Sequence, residues 1–330
     1  MRYVSLGRTG VKVSSVILGC GNFGGIGSAP AFFGQGETEG QAGALMDAAF
    51  AAGVNVFDTA DAYGGGCSEE MIGRWLARKG AAARDSLLLS SKVFNPVGDG
   101  PNDWGLSRRH IMRQVEASLR RLGADHFDLY LIHEPDPTTP LEETLWALDD
   151  LVRQGKVRYI GASNMPAWLT AKALWLSDTH GWTRFEWVQN SFSLLERNDE
   201  AELFPLLADQ GLGYTPFSPL AGGWLTGKYG RGEPFPEGSR MTLRPEPYGG
   251  YLSERVHDSL DALRGHAAER GVDMATLALA WLVRHPRVTA PIVGPRRPDQ
   301  LEPALRALEL DLTDDEWHRI GGYFSCPGVR

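Results

Sequence analysis

Eight short apolar runs alternate with helical patterns along this chain, and that alternation limits its fold more than any other feature. The runs end at or near Gly19, Asp58, Lys92, His133, Asn164, Gln189, Ser218 and Gly294. The run Phe127-Asp128-Leu129-Tyr130-Leu131-Ile132 is nearly continuous in apolar residues, as parallel strands buried on both faces should be. Between the runs, apolar residues recur every three or four positions. Ile111, Val115, Leu119 and Leu122 share one face of a helix predicted over 107–122; Leu141, Leu145, Leu148 and Val152 do the same over 140–154. Thr139 is expected to cap that second helix, with Pro140 at its first position and Glu142 completing a capping box. Further helices are predicted at 38–52, 68–79, 167–178, 200–210, 254–285 with a break at Gly271, and 298–309; another opens at Thr313.

Eight strand–helix units in 330 residues predict a (β/α)8 TIM barrel, a single domain over 1–330 with extra helices at its C-terminal end. Short alternating runs around Gly7-Arg8-Thr9-Gly10 predict a β-hairpin cap at the N-terminus. A doubly wound sheet is the alternative. The last strand is expected over Val288–Val293, and 226–251, rich in Gly and Pro, reads as a long functional loop. Gly19-Cys20-Gly21-Asn22-Phe23-Gly24 matches G-x-G-x-x-G. It is rejected as a dinucleotide fingerprint, because the following Gly24-Gly25-Ile26-Gly27-Ser28-Ala29-Pro30 cannot open a helix on which pyrophosphate would rest.

Charge and cysteine usage narrow the function classes. The formal net charge is -8 with no basic block, which argues against nucleic acid and anionic membranes as partners. No apolar run approaches the ~20 residues of a membrane span, and the first residues lack a signal-peptide core. Cys20, Cys67 and Cys326 are odd in number and widely spaced, predicting free thiols, no metal site and a cytoplasmic location. No interface pattern makes an oligomeric state readable.

In a barrel of this kind, chemistry belongs at the C-terminal ends of the strands. Asp58, Lys92 and His133 end strands two, three and four, and Tyr63 follows on the next loop. Singly, each has an ordinary explanation: a turn former, a packed aromatic, a solvated lysine, a hydrogen-bonded histidine. Together they supply a phenol, an ammonium expected to lower the phenol's pKa, a carboxylate to neutralise that ammonium, and an imidazole to polarise a carbonyl oxygen. That set can protonate an oxygen while hydride arrives at carbon. No side chain delivers hydride, so a nicotinamide is required. Arg296 and Arg297, two cations in a chain of net charge -8, suggest an anion site that favours NADPH over NADH.

The chain resembles the aldo-keto reductase superfamily, in its bacterial and potassium-channel β-subunit-like branch. Three stretches carry the resemblance: Gly53-Val54-Asn55-Val56-Phe57-Asp58-Thr59-Ala60-Asp61-Ala62-Tyr63-Gly64, then Gly155-Lys156-Val157-Arg158-Tyr159-Ile160-Gly161-Ala162-Ser163-Asn164, then Ser218-Pro219-Leu220 with Leu225-Thr226-Gly227-Lys228-Tyr229. It implies an NADPH-dependent carbonyl reductase with Asp58, Tyr63, Lys92 and His133 as catalytic tetrad and Tyr63 as general acid. It further implies that Ser163, Asn164 and Gln189 hold the nicotinamide carboxamide and that Phe217 stacks on the ring. Gly21, Asn22 and Asp58 would lie near the nicotinamide end. Ser218, Leu220 and Lys228 would hold the pyrophosphate, with Arg240 a contact from the long loop and Pro219 and Gly222 also cofactor-binding, and Gly294, Arg296 and Gln300 would hold the adenosine. Where related reductases often carry Glu-Asn to hold adenine, this chain has Pro303-Ala304. Phe23, Phe94, Trp104 and Trp224, with Phe32 and Phe33, are expected to line a pocket for a small-molecule carbonyl substrate. Two alternatives remain open: a cofactor-binding regulatory subunit with weak turnover, against which His133 weighs, and a barrel lyase using Lys92 as a Schiff base.

Overall fold

The computed structural model describes residues 1–324, so Cys326 lies outside the described residues. Two antiparallel strands come first, β1 (Tyr3–Ser5) and β2 (Lys12–Ser14). Eight parallel strands follow: β3 (Ile17–Gly19), β4 (Val56–Asp58), β5 (Leu88–Val93), β6 (Phe127–Ile132), β7 (Val157–Ser163), β8 (Phe185–Gln189), β9 (Gly213–Tyr214) and β10 (Ile292–Val293). Each pairs with its successor in the chain up to β9, and β10 pairs back onto β3. The circle closes through two single hydrogen bonds, Thr289 N–H to Tyr214 O and Ile292 N–H to Pro216 O, both 2.8 Å. This is the predicted (β/α)8 barrel.

The last strand is shorter than the expected Val288–Val293. Pro291 has no N–H to donate, so the β9–β10 seam cannot run as a ladder. Alternation sorts the side chains of the strands. Leu129 and Leu131 of β6 point into the barrel with Ile17, Val56, Trp187 and Ile292, while Tyr130 and Ile132 face the surrounding helices. Leu6 and Val13 of the hairpin plug the bottom of the barrel. The plug needs Gly7, whose φ is +54° and where a Cβ would lie 2.6 Å from Gly213 N.

The helices largely follow the sequence pattern. The helix Arg108–Leu122 starts on a Ser107 side-chain cap, ends at Gly123 with φ +63°, and buries Ile111, Val115, Leu119 and Leu122. The predicted cap at Thr139 does not form. The Thr139 hydroxyl donates to Asp136 Oδ2 at 2.8 Å, and the helix Leu141–Arg153 begins after Pro140 with no side-chain cap. A short helix at Ala81–Ser86 has no apolar period to announce it. The 226–251 loop carries a four-residue helix, Arg240–Leu243, and a 3-10 turn at Glu246–Tyr251. After Gly24 no helix begins, and the next helical turn is the 3-10 piece Pro30–Phe32. No helix among the described residues is long and apolar enough to cross a membrane.

Packing also sets a pH dependence of stability. His285 caps the helix Met274–Arg284 and sits among the rings of Phe192, Phe204, Trp281 and Trp317, with centroids 4.9–5.8 Å away. Burial, reinforced by Arg197 and Arg287, lowers its pKa to about 4. Its folded pKa lies below its unfolded value, so the unfolded chain takes up the proton first as pH falls. The native state therefore loses stability from pH ~6.5 downward, about 2 kcal/mol of it by pH 5 through this one group. Urea unfolding at pH 7.5 and 5.0 should show a pH-dependent loss about 2 kcal/mol smaller in His285→Gln than in the wild type. Equal losses would refute the assignment.

Candidate active site

The parallel register brings distant residues to one level. Gly19 pairs with Asp58, Asp58 with Ser90, and Ser163 with Gln189, so strand C-terminal ends lie side by side. The pairing continues past the strands, with His133 N–H donating to Val93 O at 2.9 Å and Asp61 N–H to Lys92 O at 3.1 Å.

Lys92 is fully buried and its Nζ donates to Asp58 Oδ2 at 2.5 Å and to Thr59 O at 2.8 Å. Asp58 Oδ1 accepts from Ser90 Oγ at 3.0 Å and Gln189 Nε2 at 3.1 Å. The carboxylate is therefore held by three donors and the ion pair is fixed in position. The Lys92 Nζ lies 5.1 Å from the centre of the Tyr63 ring. The Tyr63 hydroxyl lies 3.3 Å from His133 Nε2, with the two rings edge-on at 5.4 Å. The four residues of the expected tetrad thus form one connected group.

Its electrostatics correct one expectation. Burial pulls the Lys92 pKa down, but Asp58 and Tyr63 outweigh it and the net shift is upward. Burial pushes the Tyr63 phenol up, and the nearby Lys92 offsets this only in part, so its pKa is raised and not lowered as the sequence suggested. His133 is driven well below the ordinary imidazole value by burial and then by the Lys92 charge, so it is neutral at working pH.

The expected nicotinamide residues border this group. Ser163 Oγ donates to Gln189 O at 2.7 Å, and Asn164 Nδ2 donates to His133 O at 3.0 Å. Gly21 lies against the Tyr63 ring. Phe217 is half-buried, bridged to Ser191. Among the described residues, the non-glycine residues with positive φ are Asn164 (55°), Ser218 (54°) and Ala221 (48°). Such strain gathers where backbone is shaped for a ligand, and all three lie in or beside the expected cofactor residues. Gly222 continues the turn at φ +64°, where a Cβ would meet the Tyr248 ring at 2.5 Å.

Cations crowd the far end. Lys228 is lowered by burial and by Arg240 and Arg296. Arg240 donates to Asn22 Oδ1 at 3.1 Å. Arg296 donates through Nε to Glu37 Oε1 at 2.9 Å and through Nη1 to Gly238 O at 2.9 Å, and its N–H is held by Gln300 Oε1 at 2.8 Å. Buried Glu37, its carboxyl raised by burial, leaves Oε2 without a partner. A cluster with this excess of positive charge fits the phosphates of a dinucleotide. Pro219 is buried, Leu220 half-buried, and Gly294 exposed beside Arg296.

The aromatic wall is only partly where the sequence put it. Phe94 and Trp104 meet edge-on at 6.1 Å, with Trp104 exposed. Phe32 lies under the Arg244 guanidinium at 5.5 Å, and Phe33 is exposed. Phe23 and Trp224, by contrast, are buried. Trp224 packs on Tyr229, Phe235, Tyr251 and His257 in the core of the long loop, away from any open wall. Three residues escaped the sequence reading. Ser90 was signalled by its i, i+2 spacing from Lys92 on an apolar strand; Glu37 and Asn95, both on loops, carried no pattern.

Cys20 and Cys67 are free thiols, as expected. A family model described as the aldo/keto reductase family matches residues 16–323. The chain is 38% identical over 336 residues to Uncharacterized oxidoreductase YrpG of Bacillus subtilis (strain 168), covering 99% of this chain and 97% of that protein. It is 36% identical to L-glyceraldehyde 3-phosphate reductase of Escherichia coli O157:H7, covering 97% and 91%. It is also 36% identical to a probable voltage-gated potassium channel subunit beta of Oryza sativa subsp. japonica, covering 94% and 92%.

Proposed function

Because this chain belongs to the aldo/keto reductase family and is an oxidoreductase, we propose that it reduces an aldehyde or ketone to an alcohol with NADPH, using Tyr63 as proton donor. The observation that carries the reading is the linked group Asp58–Lys92–Tyr63–His133 at the strand ends. When bound, the nicotinamide supplies hydride to the carbonyl carbon. Ser163, Asn164 and Gln189 would hold its carboxamide end. Ser218, Pro219, Leu220, Gly222, Lys228 and Arg240 would hold the pyrophosphate, with Arg296, Gln300 and Gly294 at the adenosine. The 2′-phosphate is matched by Arg296, a planar fork suited to phosphate.

Tyr63 gives its proton to the substrate oxygen. Its raised pKa keeps it protonated through the neutral range, and the Lys92 ammonium stabilises the phenolate left behind. Neutral His133 orients the carbonyl. The carbonyl pocket is bounded by Phe94 and Trp104.

Cofactor consumption at 340 nm with a panel of aldehydes and ketones tests the reading. Turnover with NADPH supports it. In the same assay Arg296→Ser should weaken NADPH roughly tenfold or more while leaving NADH within about twofold. Equal losses for both cofactors would remove Arg296 from the 2′-phosphate. Tight NADPH binding with no turnover would favour the cofactor-binding regulatory reading.

A further inference from the structure

We propose that Asn95 is a positioning residue that sets the tautomer of His133, and so decides which way the Tyr63 proton points. The inference rests on the reductase reading for its consequence, though not for its geometry.

Asn95 Nδ2 lies 2.9 Å from His133 Nδ1. His133 is neutral, held so by burial and by Lys92, so one ring nitrogen carries a proton and the other accepts. An amide nitrogen can only donate. The contact therefore makes Nδ1 the acceptor and puts the imidazole proton on Nε2, the atom 3.3 Å from the Tyr63 hydroxyl. Before substrate enters, His133 then donates to the Tyr63 oxygen and leaves the Tyr63 O–H free for a substrate oxygen; the arriving carbonyl takes up that Nε2–H in its turn. In the other tautomer Nε2 would be an acceptor. Tyr63 would spend its proton on His133, and the proton donor would face the wrong partner.

The local chain holds Asn95 for this task. It follows β5 by two residues, so it rides on the strand that carries Lys92. Pro96 restricts it to extended backbone. Phe94 O accepts from Gly105 N–H at 2.8 Å, tying the loop back just before Asn95. His133 is pinned on its other side, its N–H to Val93 O and its carbonyl to Asn164 Nδ2 at 3.0 Å. The ring thus has a fixed backbone and one polar partner at Nδ1.

The test reads the proton directly. Protein labelled with 15N in the histidine rings is studied without cofactor at pH 7.5, and the His133 signals are assigned by their loss in His133→Asn. The wild type should show a protonated Nε2 and an unprotonated Nδ1. Asn95→Asp should reverse the pattern, because a carboxylate accepts from Nδ1–H. It should also raise the His133 pKa and lower kcat about 10- to 100-fold with NADPH affinity nearly unchanged. Asn95→Ala, which carries no new charge, should give a mixture of the two tautomers and an intermediate kcat. A wild-type proton on Nδ1, or the same tautomer in all three proteins, overturns the proposal. If no carbonyl is turned over by the wild type, the reductase reading fails, and the tautomer result still stands or falls by itself.

Discussion

Tyr63→Phe should lower kcat about 10²- to 10⁴-fold, the range lost when a positioned proton donor is removed. NADPH affinity should change little. The ring keeps its contact with Gly21, its place 5.1 Å from Lys92 and its edge-on packing with His133; only the hydroxyl is lost. That hydroxyl has His133 Nε2 at 3.3 Å and the Lys92 ammonium as hydrogen-bond partners, so stability should fall by about 1–2 kcal/mol. Stopped-flow turnover beside a fluorescence titration of NADPH separates the two effects. The pH profile sharpens the test. Burial raises the phenol's pKa, so the wild type should keep its reductase rate through neutral and mildly alkaline pH and lose it only above pH ~10. The residual rate of the variant should lack that alkaline limb. Wild-type turnover in the variant would sink Tyr63 as the donor.

Lys92→Met should cost about 3–5 kcal/mol of stability as well as activity, because it strips a buried carboxylate of its counter-ion. Asp58 Oδ2 loses the ammonium at 2.5 Å, while Oδ1 keeps Ser90 and Gln189. Thr59 O loses a donor too. The pH sign follows from the upward shift of Lys92. Its folded pKa lies above its unfolded value, so the stabilisation is fully present below pH ~10.4 and is lost as pH rises through the folded pKa. The variant should therefore be weaker than the wild type throughout the neutral range. Asp58→Asn in the same background should restore part of the loss, since a neutral amide leaves no buried charge behind. Urea unfolding of the single and double variants measures this. A loss below about 1 kcal/mol would mean the pair is solvated and of surface strength.

The two predictions differ in origin. The Tyr63 effect is chemical and lives in the rate. The Lys92 effect is first structural, because the ion pair beside the phenol also neutralises two buried charges. The His285 effect is a third kind, a packing decision that becomes visible only as pH falls.

The barrel was legible because a parallel strand buried on both faces must be apolar throughout, and its crossover helix must show a 3.6-residue period. Those local rules located β4 to β8 closely, and with them Asp58, Lys92 and His133 at the strand ends. They failed where local sequence is silent. Thr139 carries a good capping signal, yet Asp136 takes its hydroxyl. Trp224 sits on a loop, yet the long 226–251 segment folds over it and buries it. Lys92 should lower a phenol's pKa, yet the depth of the pocket outweighs it. Sequence by itself determined the order of strands and which residue types meet at their ends, because those follow from period and pairing. Only the tertiary structure decided how deeply each group is buried, and that Asn95 and Glu37 are the partners of His133 and Arg296. Depth and partnership are set by loops that close from elsewhere in the chain, and no local pattern encodes them.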